Sequence, residues 1–189
     1  MNNNKRLILC VIDAQNDFIT GSLRNEEAIK TIPNLVKKIR EFNGDAIFYT
    51  LDTHNQDYLE TKEGEKLPVV HCVRGTDGWK LEANVESALN DARLRNIPVT
   101  KVEKPTFGSF DLIEKIKRCA LLDNIDIEVV GYCTDICVVS NALAMKAGFY
   151  DKANITVDAS CCAGVTPESH KAALLTMKMC QINIINEED

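Results

Sequence analysis

The chain has 189 residues, of which 45% are hydrophobic and 26% charged, with a net charge of −6 at pH 7. That length suits one domain burying roughly 70% of the surface its unfolded chain exposes. The acidic balance argues against nucleic acid or an anionic membrane as partner, and no apolar run approaches the roughly 20 residues of a membrane span.

Taken in order, the elements alternate between strand and helix. Met1 to Arg6 followed by Leu7 to Ile12 superficially suggests an export signal. The apolar stretch is short, ends in Asp13 and lacks a small-residue cleavage site, so a first strand over 7–13 and a cytoplasmic protein are expected. Ile29, Ile32, Leu35, Val36, Ile39 and Phe42 recur at intervals of three and four, which predicts a helix over 26–42. A strand at 46–51 leads into 53–80, a segment rich in Glu, Lys, Gly and Pro without periodicity. Loops of that length inside compact domains usually carry function. Helices are predicted at 82–95, 109–120, 135–148 and 166–179, and strands at 97–102, 125–130, 153–158 and 181–185. Thr166-Pro167-Glu168 opens the last helix with an N-cap and a first-turn proline. Six strands separated by helices imply right-handed crossovers. The expected architecture is therefore an α/β fold, three-layer and doubly wound, with a mostly parallel six-stranded sheet and helices on both faces, forming one domain over 1–189. The eight cysteines, in a chain read as lacking an export signal, are expected to be reduced thiols.

In doubly wound sheets, ligands bind outside the carboxyl ends of the strands. Four successive strand ends here lead into Asp13, Asp52-Thr53-His54, Lys104 and Cys137. With Thr134 as N-cap, Cys137 would sit in the first turn of a helix, where the macrodipole favours a thiolate. The competing reading is a small buried hydrophobe. A coherent chemistry joins these groups. Asp13 would take the thiol proton, Lys104 would keep Asp13 ionised, and Cys137 would attack a carbonyl. Backbone N–H groups of Cys133 and Cys137 would receive the oxyanion, and such donors are worth roughly 3–4 kcal/mol each in acyl transfer. Asp52 and His54, two apart in extended chain, point the same way and can share an ion. His71 would close a three-ligand metal site with open positions, for which Zn is the first expectation and Fe or Mn also suit. The alternative is two unrelated surface histidines. His170 reads as structural or solvent-facing.

These pieces resemble the isochorismatase-like cysteine hydrolase superfamily and, within it, the nicotinamidase branch. The resemblance rests on Val11-Ile12-Asp13-Ala14-Gln15-Asn16-Asp17-Phe18, Asp52-Thr53-His54, His71 to Gly78, Lys104 with Ser109-Phe110, Gly131 to Val138, and Asp158 with Cys162-Ala163-Gly164. It implies an Asp-Lys-Cys triad at Asp13, Lys104 and Cys137, and a non-proline cis peptide at Tyr132-Cys133. It also implies a metal at Asp52, His54 and His71 that positions a pyridine carboxamide over the cysteine. Many nicotinamidases have a fourth protein ligand; here Asp57, Glu63 or Glu65 are candidates, with Glu63 taken forward, or water fills the place. Position 133 is cysteine where many relatives have alanine, and Leu67-Pro68-Val69-Val70 lacks an aromatic found there in many relatives. Phe18, close behind Asp13, and Tyr132 are the candidate pocket residues, with a core role as the alternative for Phe18. The implied activity is hydrolysis of a small carboxamide, nicotinamide first. Another small amide, or a vinyl ether as in isochorismatases, is the alternative. Whether the chain forms a homo-oligomer stays open.

Overall fold

The computed structural model describes residues 5–120 and 125–187. Six parallel strands form one sheet: β1 (Arg6–Ile12), β2 (Ala46–Asp52), β3 (Val99–Lys104), β4 (Ile125–Tyr132), β5 (Ala153–Ala163) and β6 (Asn183–Ile185), in spatial order β3-β2-β1-β4-β5-β6. The helices are α1 (Glu26–Glu41), the short α2 (Lys62–Lys66), α3 (Ala83–Leu94), α4 (Phe110–Ala120), α5 (Val139–Phe149) and α6 (Pro167–Met179). Alternation along β1 separates two cores. Ile8, Cys10 and Ile12 pack with residues of α4, α5 and α6, whereas Leu9 and Val11 pack with α1 and α3. The three-layer, doubly wound arrangement expected from the sequence is present.

Local chemistry explains most boundaries. Asn25 caps α1 by accepting from the N–H groups of Glu27 and Ala28. Thr166 and Ser169 form a reciprocal capping box ahead of Pro167 in α6. The 53–80 segment is not a plain loop: a 3₁₀ turn at Tyr58–Glu60 runs into α2, whose N-cap Thr61 accepts from Gly64 N–H. β3 starts and ends two residues later than predicted, and β5 runs five residues further. The helix expected over 135–148 begins instead as a π-helical turn, Thr134–Val138, before α5.

Chain reversal falls between β1 and β4, which lie side by side with Ile12 in register with Gly131. Gly131 has φ of 119°, and a Cβ there would lie 2.1 Å from the Ile12 carbonyl oxygen, so only glycine permits this approach. The crevice beyond these two strand ends is the switch point of a doubly wound sheet. Among the described residues, no helix is long and apolar enough to cross a membrane.

Candidate active site

Asp13 follows β1 with φ of 44°, a left-handed conformation unusual for a side-chain-bearing residue. Thr50, fully buried on β2, holds it twice: the Thr50 hydroxyl donates to Asp13 Oδ1 at 2.6 Å and accepts from Asp13 N–H at 3.1 Å. This leaves Asp13 Oδ2 facing Lys104 Nζ at 2.6 Å. Lys104 is the last residue of β3 and the register partner of Asp52 on β2, so the two side chains share one face of the sheet. The Lys104 ammonium lies 3.4 Å from Asp52 Oδ1 and 3.5 Å from Cys137 Sγ, and donates to the Thr106 carbonyl at 3.0 Å. Burial alone would favour an uncharged Lys104, but the Asp13 and Asp52 carboxylates hold it protonated well above the usual lysine range.

Cys137 corrects the sequence reading in two respects. Thr134 is not a cap; it opens the π turn, and its hydroxyl is 2.8 Å from His170 Nδ1, which ties α6 to this turn. The residue at the cap position is Cys133, joined to Tyr132 by a cis peptide bond. Nor does a helix start make the thiol acidic. Cys137 is 4% exposed, and burial pushes its thiol well up, with Asp13 adding to the rise and Lys104 opposing it. Burial likewise pushes the Asp13 carboxyl up against the pull of Lys104. The site thus sets a buried thiol and a buried carboxyl on either side of one ammonium, Lys104.

The second group is compact. Asp52 Oδ2 lies 2.9 Å from His54 Nε2 and 3.6 Å from His71 Nε2, and Glu63 Oε1 lies 3.6 and 4.0 Å from the same two nitrogens. One donor atom from each of the four lies within 4.8 Å of all the others. Of the three acidic candidates for the fourth place, α2 brings Glu63 inward, whereas Glu65 pairs with Lys62 at the surface and Asp57 is exposed. His71 Nδ1–H donates to the Val69 carbonyl at 2.8 Å, which leaves the Nε2 lone pair facing the cluster. Burial opposes ionisation of Asp52, but its hydrogen bond with His54 and the charge of Lys104 hold it well below the usual carboxylate range. Two imidazoles and two carboxylates converging on one point suit a divalent transition metal.

Several residues without an assigned role brace these groups. Gln15 clamps the Asp52 backbone, accepting its N–H at 2.7 Å and donating to its carbonyl at 2.9 Å. Asp17 accepts from Cys72 N–H at 2.8 Å, fixing the segment that carries His71. The Tyr58 ring packs against both imidazoles, with centroids 4.6 Å from His54 and 4.8 Å from His71.

A cavity of about 480 Å³ opens over Cys137, with Asp52, Glu63, His71, Cys133 and Phe18 among its walls. Phe18 is both core and wall: it is 8% exposed and meets the His71 ring edge-on at 5.7 Å. Tyr132 is not in the wall. It is fully buried in the core packed under α1, where its hydroxyl reaches Thr31 Oγ1 at 2.8 Å and the Ala28 carbonyl at 3.3 Å.

Fold and site together define a doubly wound α/β enzyme with carboxylate, ammonium and thiol gathered at the switch point beside a His/carboxylate cluster. The isochorismatase domain model matches residues 7–189, and the chain belongs to that family. A Bacillus subtilis (strain 168) protein described as an uncharacterized isochorismatase family protein, PncA, is 29% identical over 179 residues, spanning 90% of this chain and 92% of that one. Among solved structures, the nicotinamidase/pyrazinamidase PncA of Bacillus subtilis is similar with a TM-score of 0.80 and 25% identity, covering 95% of this chain and 98% of that chain. The pyrazinamidase of Pyrococcus horikoshii in complex with zinc has a TM-score of 0.73 and 26% identity, covering 96% and 99%.

Proposed function

We propose that this amidohydrolase cleaves a small heteroaromatic carboxamide, nicotinamide first, to the acid and ammonia through a thioester on Cys137. The observation that carries the reading is the placement of one buried ammonium, Lys104, 2.6 Å from Asp13 Oδ2 and 3.5 Å from Cys137 Sγ. Asp13 takes the thiol proton as Sγ attacks the amide carbon, and Lys104 stabilises the negative charge moving between them. The Cys133 carbonyl accepts from Ile136 and Val138 N–H, passing over Cys137. That arrangement supports an oxyanion hole formed by the Cys137 and Cys133 N–H groups. The C–N bond then breaks as Asp13 returns the proton to the leaving nitrogen, giving ammonia and the thioester. Asp13 next draws a proton from water, hydroxide adds to the thioester, and the thiol departs reprotonated.

Asp52, His54, Glu63 and His71 would hold a divalent metal, zinc as first choice. When bound, such an ion supplies a Lewis-acidic anchor for a substrate ring nitrogen. Charge supports a neutral substrate over the dianion isochorismate. Three carboxylates, Asp13, Asp52 and Glu63, face one ammonium, Lys104, so the floor carries about −2 that a divalent ion would cancel. The eight cysteines are free, in keeping with one hydrolase domain over 1–189 working in a reducing cytoplasm.

The test is ammonia release by the metal-loaded enzyme from nicotinamide and from benzamide, which lacks the ring nitrogen, with isochorismate as comparison. Nicotinamide should be cleaved at least about tenfold more efficiently than benzamide, as expected when a site built to bind a polar atom is left unmatched. Equal rates would remove the metal from recognition, and pyruvate release from isochorismate would overturn the amidase reading.

A further inference from the structure

The cavity over Cys137 has two unlike ends. Its floor is polar, formed by Cys137 and the Asp52, Glu63 and His71 donors, whereas its mouth is walled by Leu67, Phe107 and Val165. These three large apolar side chains are left 37%, 41% and 57% exposed. Apolar side chains grouped around one opening mark a place where something apolar binds. The three arrive from separate segments, after α2, between β3 and α4, and ahead of α6, and each backbone is pinned. The Leu67 carbonyl accepts from the Tyr58 hydroxyl at 2.9 Å, and the Phe107 carbonyl from Asn141 Nδ2 at 2.9 Å. Val165 N–H donates to both Asp135 carboxylate oxygens at 3.1 Å. The mouth is thus a preformed wall.

Size separates the two ends further. Even at the ~30 Å³ that a water molecule takes in the liquid, the nine non-hydrogen atoms of nicotinamide would fill only about 270 Å³. The cavity holds about 480 Å³, so a substantial remainder lies toward the mouth. The charge in that wall belongs to Arg24, whose Nε already donates to Glu26 Oε1 at 2.7 Å.

Resting on the amidase reading, the geometry points to a more specific substrate class. We propose that the preferred substrate is a heteroaromatic carboxamide carrying an uncharged apolar substituent on the ring edge remote from the amide and the ring nitrogen. The carboxamide meets Cys137, the ring nitrogen faces the Asp52/His54/His71/Glu63 cluster, and the substituent lies between Leu67, Phe107 and Val165. The mouth has no part in bond breaking, so its contribution is binding realised mainly in KM.

The experiment measures ammonia release by the metal-loaded enzyme across pyridine-3-carboxamides bearing hydrogen, methyl, isopropyl, phenyl or carboxylate at the ring carbon meta to both the amide-bearing carbon and the ring nitrogen. The value of kcat/KM should rise at least about tenfold from hydrogen to isopropyl or phenyl, because each methylene fitted into an apolar pocket is worth ~10-fold or more. The carboxylate member should be the poorest. Phe107→Ser and Val165→Ser, at partly exposed positions, should each remove most of that gain. Falling kcat/KM with growing substituent, a preference for the carboxylate, or a gain untouched by both substitutions would overturn the proposal while leaving the amidase reading in place. Ammonia from none of the amides would overturn the amidase reading and this proposal with it.

Discussion

Replacing Lys104 by Met keeps much of the side-chain volume and removes the ammonium from a position that is 1% exposed. At an effective dielectric of about 20, unit charges attract by about 6 kcal/mol at the 2.6 Å to Asp13 and about 5 kcal/mol at the 3.4 Å to Asp52. Desolvation of the lysine offsets most of this, and breaking a buried pair by removing one partner typically costs about 3–5 kcal/mol. Against a total stability of about 5–15 kcal/mol, that is a large fraction. Activity should suffer for a separate reason. Without the ammonium, only the Thr50 hydroxyl still opposes the burial that pushes Asp13 up, so the carboxyl shifts toward its protonated form and loses capacity as a base. The expected fall in kcat is about 10²–10⁴. Urea unfolding followed by the fluorescence of Trp79, the one tryptophan in the chain, measures the first effect, and ammonia release measures the second. Adding Asp13→Asn to Lys104→Met should restore part of the stability and none of the activity, because it replaces a buried carboxyl that must take up a proton, at a cost in free energy, with a group that is already neutral. An unchanged urea midpoint in Lys104→Met, or a double variant no more stable than the single, would refute the electrostatic account.

Cys137→Ala should abolish ammonia release for a stability loss of no more than about 2 kcal/mol, the scale of deleting one small buried group. Cys133→Ala should retain most turnover, since its proposed role is carried by the backbone, and the reverse pattern would reassign the nucleophile. Glu63→Gln should weaken metal affinity about 10–100-fold in chelator competition without abolishing it, because three ligands remain; an unchanged affinity removes Glu63 from the set. Asp158 is buried, which opposes its ionisation, yet hydrogen bonds from Lys38, Ser160 and Asn186 hold its carboxyl below the usual value. A lowered folded value means stability that is fully present above about pH 4 and lost as pH falls through it. Asp158→Asn should therefore cost about 2 kcal/mol from pH 8 to 5, with the gap closing only below about pH 4; a gap widening toward acid would reverse the assignment.

What was legible depended on how local the signal was. Asp13, Asp52, Lys104 and Cys137 stood out because apolar runs mark strands and reactive side chains followed four of them in succession. Lys104 was expected in a loop after β3 but ends the strand itself. The polar residues Thr100, Lys101 and Glu103 of this edge strand hide its period. The far half of β5, Ala159 to Ala163, contains alanine, serine and cysteine and no β-branched residue to announce a strand. The π turn had no sequence mark; its contact with α6, between Thr134 and His170, joins residues 36 apart. Thr50 and Gln15 were silent for another reason: each acts on a partner 37 residues away. Tyr132 misled because its neighbour Cys133 lines the cavity while its own ring points across the sheet toward α1.

The parallel contact between β1 and β4 is the seam along which two half-sites meet. Asp13, the ligand cluster and Lys104 belong to the chain before that seam closes, and the nucleophile arrives only with the strand after it. One residue of slip would carry Cys137 about 3.3 Å along the strand, as far as its whole separation from Lys104, and turn alternate side chains to the opposite face. The Ile12–Gly131 approach guards against that slip with a carbonyl oxygen and a missing methyl group. A substitution at Gly131 would therefore be read first as a loss of turnover, in a residue that need never touch substrate.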